Sequence, residues 1–149
     1  MSKWSRQDGT ITATDNCDNN VTVTLNEQTI PGACANSFTL IRTWTATDDC
    51  GNAITTNASF TISDTQAPSW INIPVNESEE CDGSGNLVGL NAWLSSFTAG
   101  DICGSAVVFH GYVQTVDACG ATGSMVYNFI ATDACGNSIS NTASFTITD

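Results

Sequence analysis

The sequence predicts an all-β protein built as two tandem modules, and three observations carry that prediction. Residues 46–64 (ATDDCGNAITTNASFTISD) recur as residues 131–149 (ATDACGNSISNTASFTITD), about two-thirds identical at a separation of 85. Such dense self-similarity marks a chain made of like structural units. Within each copy, apolar residues alternate with Ser and Thr at the two-residue period of a strand, as in Phe60/Ile62 and Phe145/Ile147. Threonine, serine, asparagine and glycine dominate the polar composition, which suits strand faces and turns better than helices.

Taken in order, residues 4–14 lead into the polar turn DNCDNN at 15–20, and residues 21–25 alternate as a strand. Pro31, Gly32 and Cys34 place a loop over residues 29–36. Residues 38–46 form the longest strand of the first module. Phe38, Leu40, Trp44 and Ala46 share one face with Arg42, which must reach an edge or pair with an acid. A Cys50-Gly51-Asn52 tip follows, its glycine supplying the positive φ of a tight reversal, and the chain returns through Ile54, Ala58, Phe60 and Ile62.

Residues 64–68 (DTQAP) form the junction, because Pro68 cannot continue a ladder. The modules are therefore expected at residues 1–66 and 67–149. In the second, residues 69–75 make an edge strand, the acids Glu77, Glu79 and Glu80 follow, and CDGSGN at 81–86 turns the chain. Leu87, Leu90, Trp93, Leu94 and Phe97 have helical spacing, predicting one short helix that ends near Gly100. Residues 107–113 and 125–131 are strands, with Phe129 in the place of Trp44. The first module has no counterpart of residues 67–86, so it reads as incomplete, lacking a first strand.

Cys17, Cys34 and Cys50 map onto Cys103, Cys119 and Cys135, with Cys81 left as the fourth cysteine of a complete module. Modules this small often need covalent or metal staples, so the seven cysteines are read as a disulfide framework in an oxidising compartment. Of the three pairings that four cysteines allow, the favoured one joins Cys103 to Cys135 and Cys81 to Cys119. Cys17–Cys50 is then its counterpart in the first module, and Cys34 is unpaired or intermolecular. A loop of about 33 residues closed in this way stabilises a module by roughly 3–4 kcal/mol in the chain-entropy model. Zinc is disfavoured, since there is no CxxC pair and the single histidine, His110, lies in a strand alternation.

Fifteen acidic residues against three basic ones give a net charge of −12, which disfavours nucleic acid and anionic membrane as partners and favours divalent cations. Calcium is the candidate ion, because it takes oxygens that acidic turns supply. The candidate ligands are Asp15, Asp18, Asp48 and Asp49 beside Cys17 and Cys50, Asp101 and Asp133 beside Cys103 and Cys135, and Asp64 at the junction. The competing reading is that these aspartates cap their own turns. No run of residues is long and apolar enough to predict membrane insertion. Nothing in the residue spacing supports acid–base, nucleophilic or nucleotide chemistry, so no enzyme is predicted. Trp44 and Phe129 are read as core rather than as sugar-stacking platforms.

The chain resembles the hyalin-repeat-like (HYR-like) modules of very large Bacteroidetes surface and gliding adhesins. The resemblance covers nearly the whole sequence and rests on CDGSGN at 81–86, AWL at 92–94, the Asp-x-Cys of 101–103, ATDDCGN and ATDACGN, DTQAP, and the closing ASFTITD. It implies immunoglobulin-like β-sandwiches, export by the type IX route, a cell-surface location, and a role as a disulfide-stabilised stalk or adhesion segment. The partners it implies are neighbouring repeats or subunits and a surface or glycan ligand. The truncated first module departs from the pattern and suggests an alternative, a self-assembling extracellular filament subunit completed by a strand from a neighbour.

Overall fold

The computed structural model describes the backbone of residues 3–7, 10–17, 19–117 and 122–149, and the side chains of residues 11–17, 19–115 and 122–149. Among the described residues the chain is mostly β, with several separate sheets and one short helix. It divides into two contact units: residues 1–33 with 37–63, and residues 34–36 with 64–149.

The first unit contains a two-stranded antiparallel pair, β1 (Lys3–Gln7) with β2 (Thr10–Thr14), and a three-stranded antiparallel meander. The meander runs β3 (Thr22–Pro31), β4 (Phe38–Thr47), β5 (Ala53–Ile62), with β4 in the middle. Its register sorts the side chains by chemistry. Val23, Leu25, Phe38, Leu40, Trp44, Ala46, Ile54, Ala58, Phe60 and Ile62 lie on one face, and Thr22, Thr24, Thr39, Thr43, Thr45, Thr55 and Thr61 on the other. Glu27 lies opposite Arg42 in this register, and the two pair at 2.5 Å, which answers the charge on the apolar face. The loop expected over residues 29–36 is shorter than expected, because β3 continues through Pro31. A proline is tolerated there since β3 is an edge strand with one row of unpaired amides.

The second unit repeats the meander as β9 (Ala106–Asp117), β10 (Gly123–Asp133) and β11 (Ser138–Thr148), and then covers it. β7 (Glu77–Glu80) adds to the outer edge of β11 in parallel, with Phe145 opposite Glu77 and Ile147 opposite Glu79. The acidic run 77–80 is thus a strand, which its polarity does not announce, since it sits at a sheet edge. β6 (Ser69–Asn72) pairs with β8 (Thr98–Gly100), and between β7 and β8 the helix α1 (Leu87–Ser95) lays Leu90 and Trp93 on the sheet.

The core forms there. Phe129 and Phe145 have no exposed surface, and Trp93 meets Phe97, Tyr127 and Phe129 edge to face at 5.3–5.9 Å between ring centres. Trp93 Nε1 donates to the Val75 carbonyl at 2.9 Å, so the indole is apolar on its faces and satisfied at its nitrogen. Side-chain bonds fix the covering segment along β11. The Asn141 amide donates to the Pro74 carbonyl, and the backbone N–H of Ser144 donates to Asn76 Oδ1.

Candidate functional site

The residues singled out for disulfide or metal chemistry gather at the tips of the repeated hairpins. Each tip is built by one aspartate. Asp48 Oδ1 accepts the backbone N–H groups of Cys50 and Asn52 at 3.0 and 2.8 Å, and its Oδ2 accepts the Asn52 amide at 2.8 Å. Asp133 does the same with Cys135 and Asn137 at 2.8, 2.9 and 2.9 Å. Gly51 and Gly136 take φ of 86° and 89°, which a residue with a Cβ adopts only under strain. The motif Asp-x-Cys-Gly-Asn is therefore a turn specification in which the carboxylate takes the place of a backbone acceptor.

Hydrogen bonds from the Asn52 side chain and backbone hold the Asp48 pKa below its ordinary value. Burial opposes ionisation of Asp133, but the bonds from Asn137, Cys135 and Gly136 outweigh it, and its pKa is lowered too. Asp15, Asp64 and Asp101 each accept the N–H two residues ahead, from Cys17, Gln66 and Cys103. Turn capping thus occupies at least one oxygen of most of the candidate calcium ligands.

The second unit nevertheless draws several of these groups together. Asp64, Asp101 and Cys103 each offer a ligand-type atom within 4.8 Å of the others, and so do Asp64, Asp133 and Cys135. Asp64 is common to both sets, with Asp101 in one and Asp133 in the other, so carboxylates far apart in sequence become neighbours of Asp64. The Cys103 thiol is pushed above its ordinary pKa by burial and then by these three carboxylates. It is neutral at pH 7, and the Cys135 sulfur is in a disulfide. The donors left are hard oxygens. A cavity of about 380 Å³ lined by Gln66, Ala67, Ser69, Gly100, Asp101 and Ile102 opens beside them. In the first unit Asn20 donates to Asp49 at 3.2 Å, and Asp15 is close enough to raise the Asp48 pKa slightly, so the turn 15–20 and the hairpin tip are neighbours. Asp18 and Cys119 lie outside the described residues.

The disulfide pattern differs from the expected one. Cys34 is bonded to Cys135, with a Cα separation of 4.9 Å, inside the usual range for the bond. Cys34 is therefore not an orphan, and Cys103–Cys135 and Cys17–Cys50 are not formed. Cys17, Cys50, Cys81 and Cys103 are free thiols, and the expected Cys81–Cys119 pairing involves a residue outside the described ones. The expectation confined pairing to a module. Segment 34–36 instead groups with the second unit, where Asn36 also donates to the Cys103 carbonyl at 2.7 Å. Cys103 and Cys135 each lie against Asp64, and it is Cys34, not Cys103, that takes the Cys135 sulfur.

His110 packs against the rings of Tyr127 and Phe129, both at 6.0 Å, and among the described residues no metal-type cluster includes it. Phe129 and Trp93 are core, Trp70 packs half-buried against that core, and Trp44 is half-buried rather than core. Among the described residues no helix is long and apolar enough to cross a membrane. No protein-family model and no curated protein matches the chain.

Proposed function

We propose that the chain is a tandem-repeat segment of a large bacterial surface adhesin, a disulfide-stabilised stalk or adhesion module of HYR-like type, with both units immunoglobulin-like. The observation that supports this most directly is one meander built twice from the same turn-and-strand motif, together with a disulfide at a hairpin tip. Two copies of one sheet serve reach and stiffness, and the bond suits an oxidising exterior. The carboxylates at the hairpin tips serve turns, which supports a structural reading of this region.

The test is location and redox state in the source cells. Antibody to the chain should label intact cells, protease added outside should remove the label, and non-reducing peptide mapping should recover residues 34 and 135 joined. A cytoplasmic pool with every cysteine reduced would overturn the proposal.

A further inference from the structure

The two meanders differ in what lies on them. Phe145 is fully buried, whereas Phe60, at the same repeat position, is 61% exposed. Ile147 is 7% exposed and its equivalent Ile62 is 39% exposed. Ile54 and Leu25 lie on the same open face, at 39% and 50%. The edge differs as well. β11 is flanked by β7, while β5 ends its sheet with no neighbour among the described strands. A groove of about 340 Å³ runs over this open face, lined by Leu40, Arg42, Trp44, Ala58, Ser59 and Phe60.

In the second unit one continuous stretch, residues 77–97, closes both the edge and the face. β7 takes the edge in parallel, and Leu90, Trp93 and Phe97 take the face. Open edge, open face and groove in the first unit therefore share one complement. We propose that the β3–β4–β5 sheet is a docking site for a polypeptide segment of the 77–97 pattern, an acidic strand followed by a Leu/Trp/Phe helix, carried by a neighbouring repeat.

The register follows from the repeat. The incoming strand lies parallel to residues 60–63, as β7 lies along Phe145–Thr148, and its tryptophan enters the groove between Trp44 and Phe60. Arg42 stands where the second unit has Tyr127, which touches Trp93, so a guanidinium already paired with Glu27 lies under the incoming indole. The occupant is not this chain's own 77–97 segment from a second copy. That segment is already seated on β11, and an exchange would break one such seat for each one made. The inference deepens the proposed array by naming the contact between repeats, and its test does not depend on cellular location.

The probe is a synthetic peptide of residues 77–97 with Cys81→Ser, added to the intact oxidised chain. Binding should be saturable at one peptide per chain with a dissociation constant of roughly micromolar order. Amides of residues 59–63 should gain exchange protection while those of residues 144–148 stay unchanged. Phe60→Asp, at an exposed site, should weaken binding at least about tenfold. Trp93→Ala in the peptide should do the same without touching the protein's fold. No binding at millimolar peptide, binding that Phe60→Asp leaves intact, or displacement at residues 144–148 would overturn the proposal. So would a concentration-dependent dimer of the chain alone that protects residues 59–63.

Discussion

Phe60 and Phe145 occupy equivalent repeat positions, on strands of the same register, so truncating each to alanine compares one side chain in two environments. Phe145 is fully buried among Trp93, Phe129 and the small Ala143. Removing it deletes a complete aromatic side chain and leaves a cavity in close-packed surroundings, for an expected loss of about 3–5 kcal/mol. Phe60 is 61% exposed, so only some two-fifths of its transfer free energy is realised on folding and no closed cavity forms. At roughly 2–3 kcal/mol for full burial of a phenylalanine, Phe60→Ala should cost about 1 kcal/mol. Urea unfolding followed by tryptophan emission resolves the two, with Trp44 reporting on the first unit and Trp70 and Trp93 on the second. A Phe60→Ala loss equal to that of Phe145→Ala would show that the first sheet is covered as fully as the second, and would refute the contrast drawn here.

Further expectations follow from single contacts. Trp93→Phe keeps the ring packing but leaves the Val75 carbonyl without its donor, and should destabilise the second unit by about 1–3 kcal/mol in the same assay. Asp48, Asp82 and Asp133 all titrate below their ordinary value of 3.8. Their contribution to stability is therefore complete above that value and fades as pH falls below it through the lower folded values, so the melting midpoint should drop from about pH 4 downward. Asp133→Asn should flatten that drop, and an unchanged profile would remove Asp133 from the account. Two of the seven cysteines are joined, so alkylation of unreduced protein in denaturant should mark no more than five, with residues 34 and 135 recovered in one linked peptide. Reducing that bond reopens a loop of 101 residues and should destabilise the chain by roughly 4–5 kcal/mol in the chain-entropy model.

Much of the β architecture could be read from period alone. The alternation through Phe145 and Ile147 placed β11 and its buried face, because a strand covered on one side writes its burial into every second residue. The same alternation through Phe38, Leu40, Trp44 and Ala46 placed β4, but Trp44 is half-buried rather than core, since nothing among the described residues covers that face as α1 covers the second sheet. The helix was legible for the same reason at a different period, but it ends at Ser95 rather than near Gly100, where residues 98–100 instead pair as a strand with β6. What escaped was written in no local pattern. Glu77–Glu80 is a strand because β11 has an edge to offer, which a short acidic run does not reveal. Pro31 looked like a breaker and is a strand terminus, because the cost of a missing N–H depends on whether a neighbour lies on that side.

At the hairpin tips, proximity was legible and bonding was not. The equivalence of the repeats suggested a Cys103–Cys135 bond, yet a disulfide depends on which two sulfurs the fold brings within bonding distance, and the sequence carries no distance between Cys34 and Cys135. The aspartates were open to two readings, turn cap or ion ligand. The observed bonds from Cys50, Asn52, Cys135 and Asn137 show the capping role directly.

The account stands or falls on the difference between the covered and the open sheet, and residue-resolved amide hydrogen exchange on the intact oxidised chain measures it most directly. Hydrogen-bonded amides of β10 and β11 should exchange only through near-global unfolding of their unit, while those of β4 and β5 exchange orders of magnitude faster through local opening. Equal protection of the two meanders in the isolated chain would contradict it.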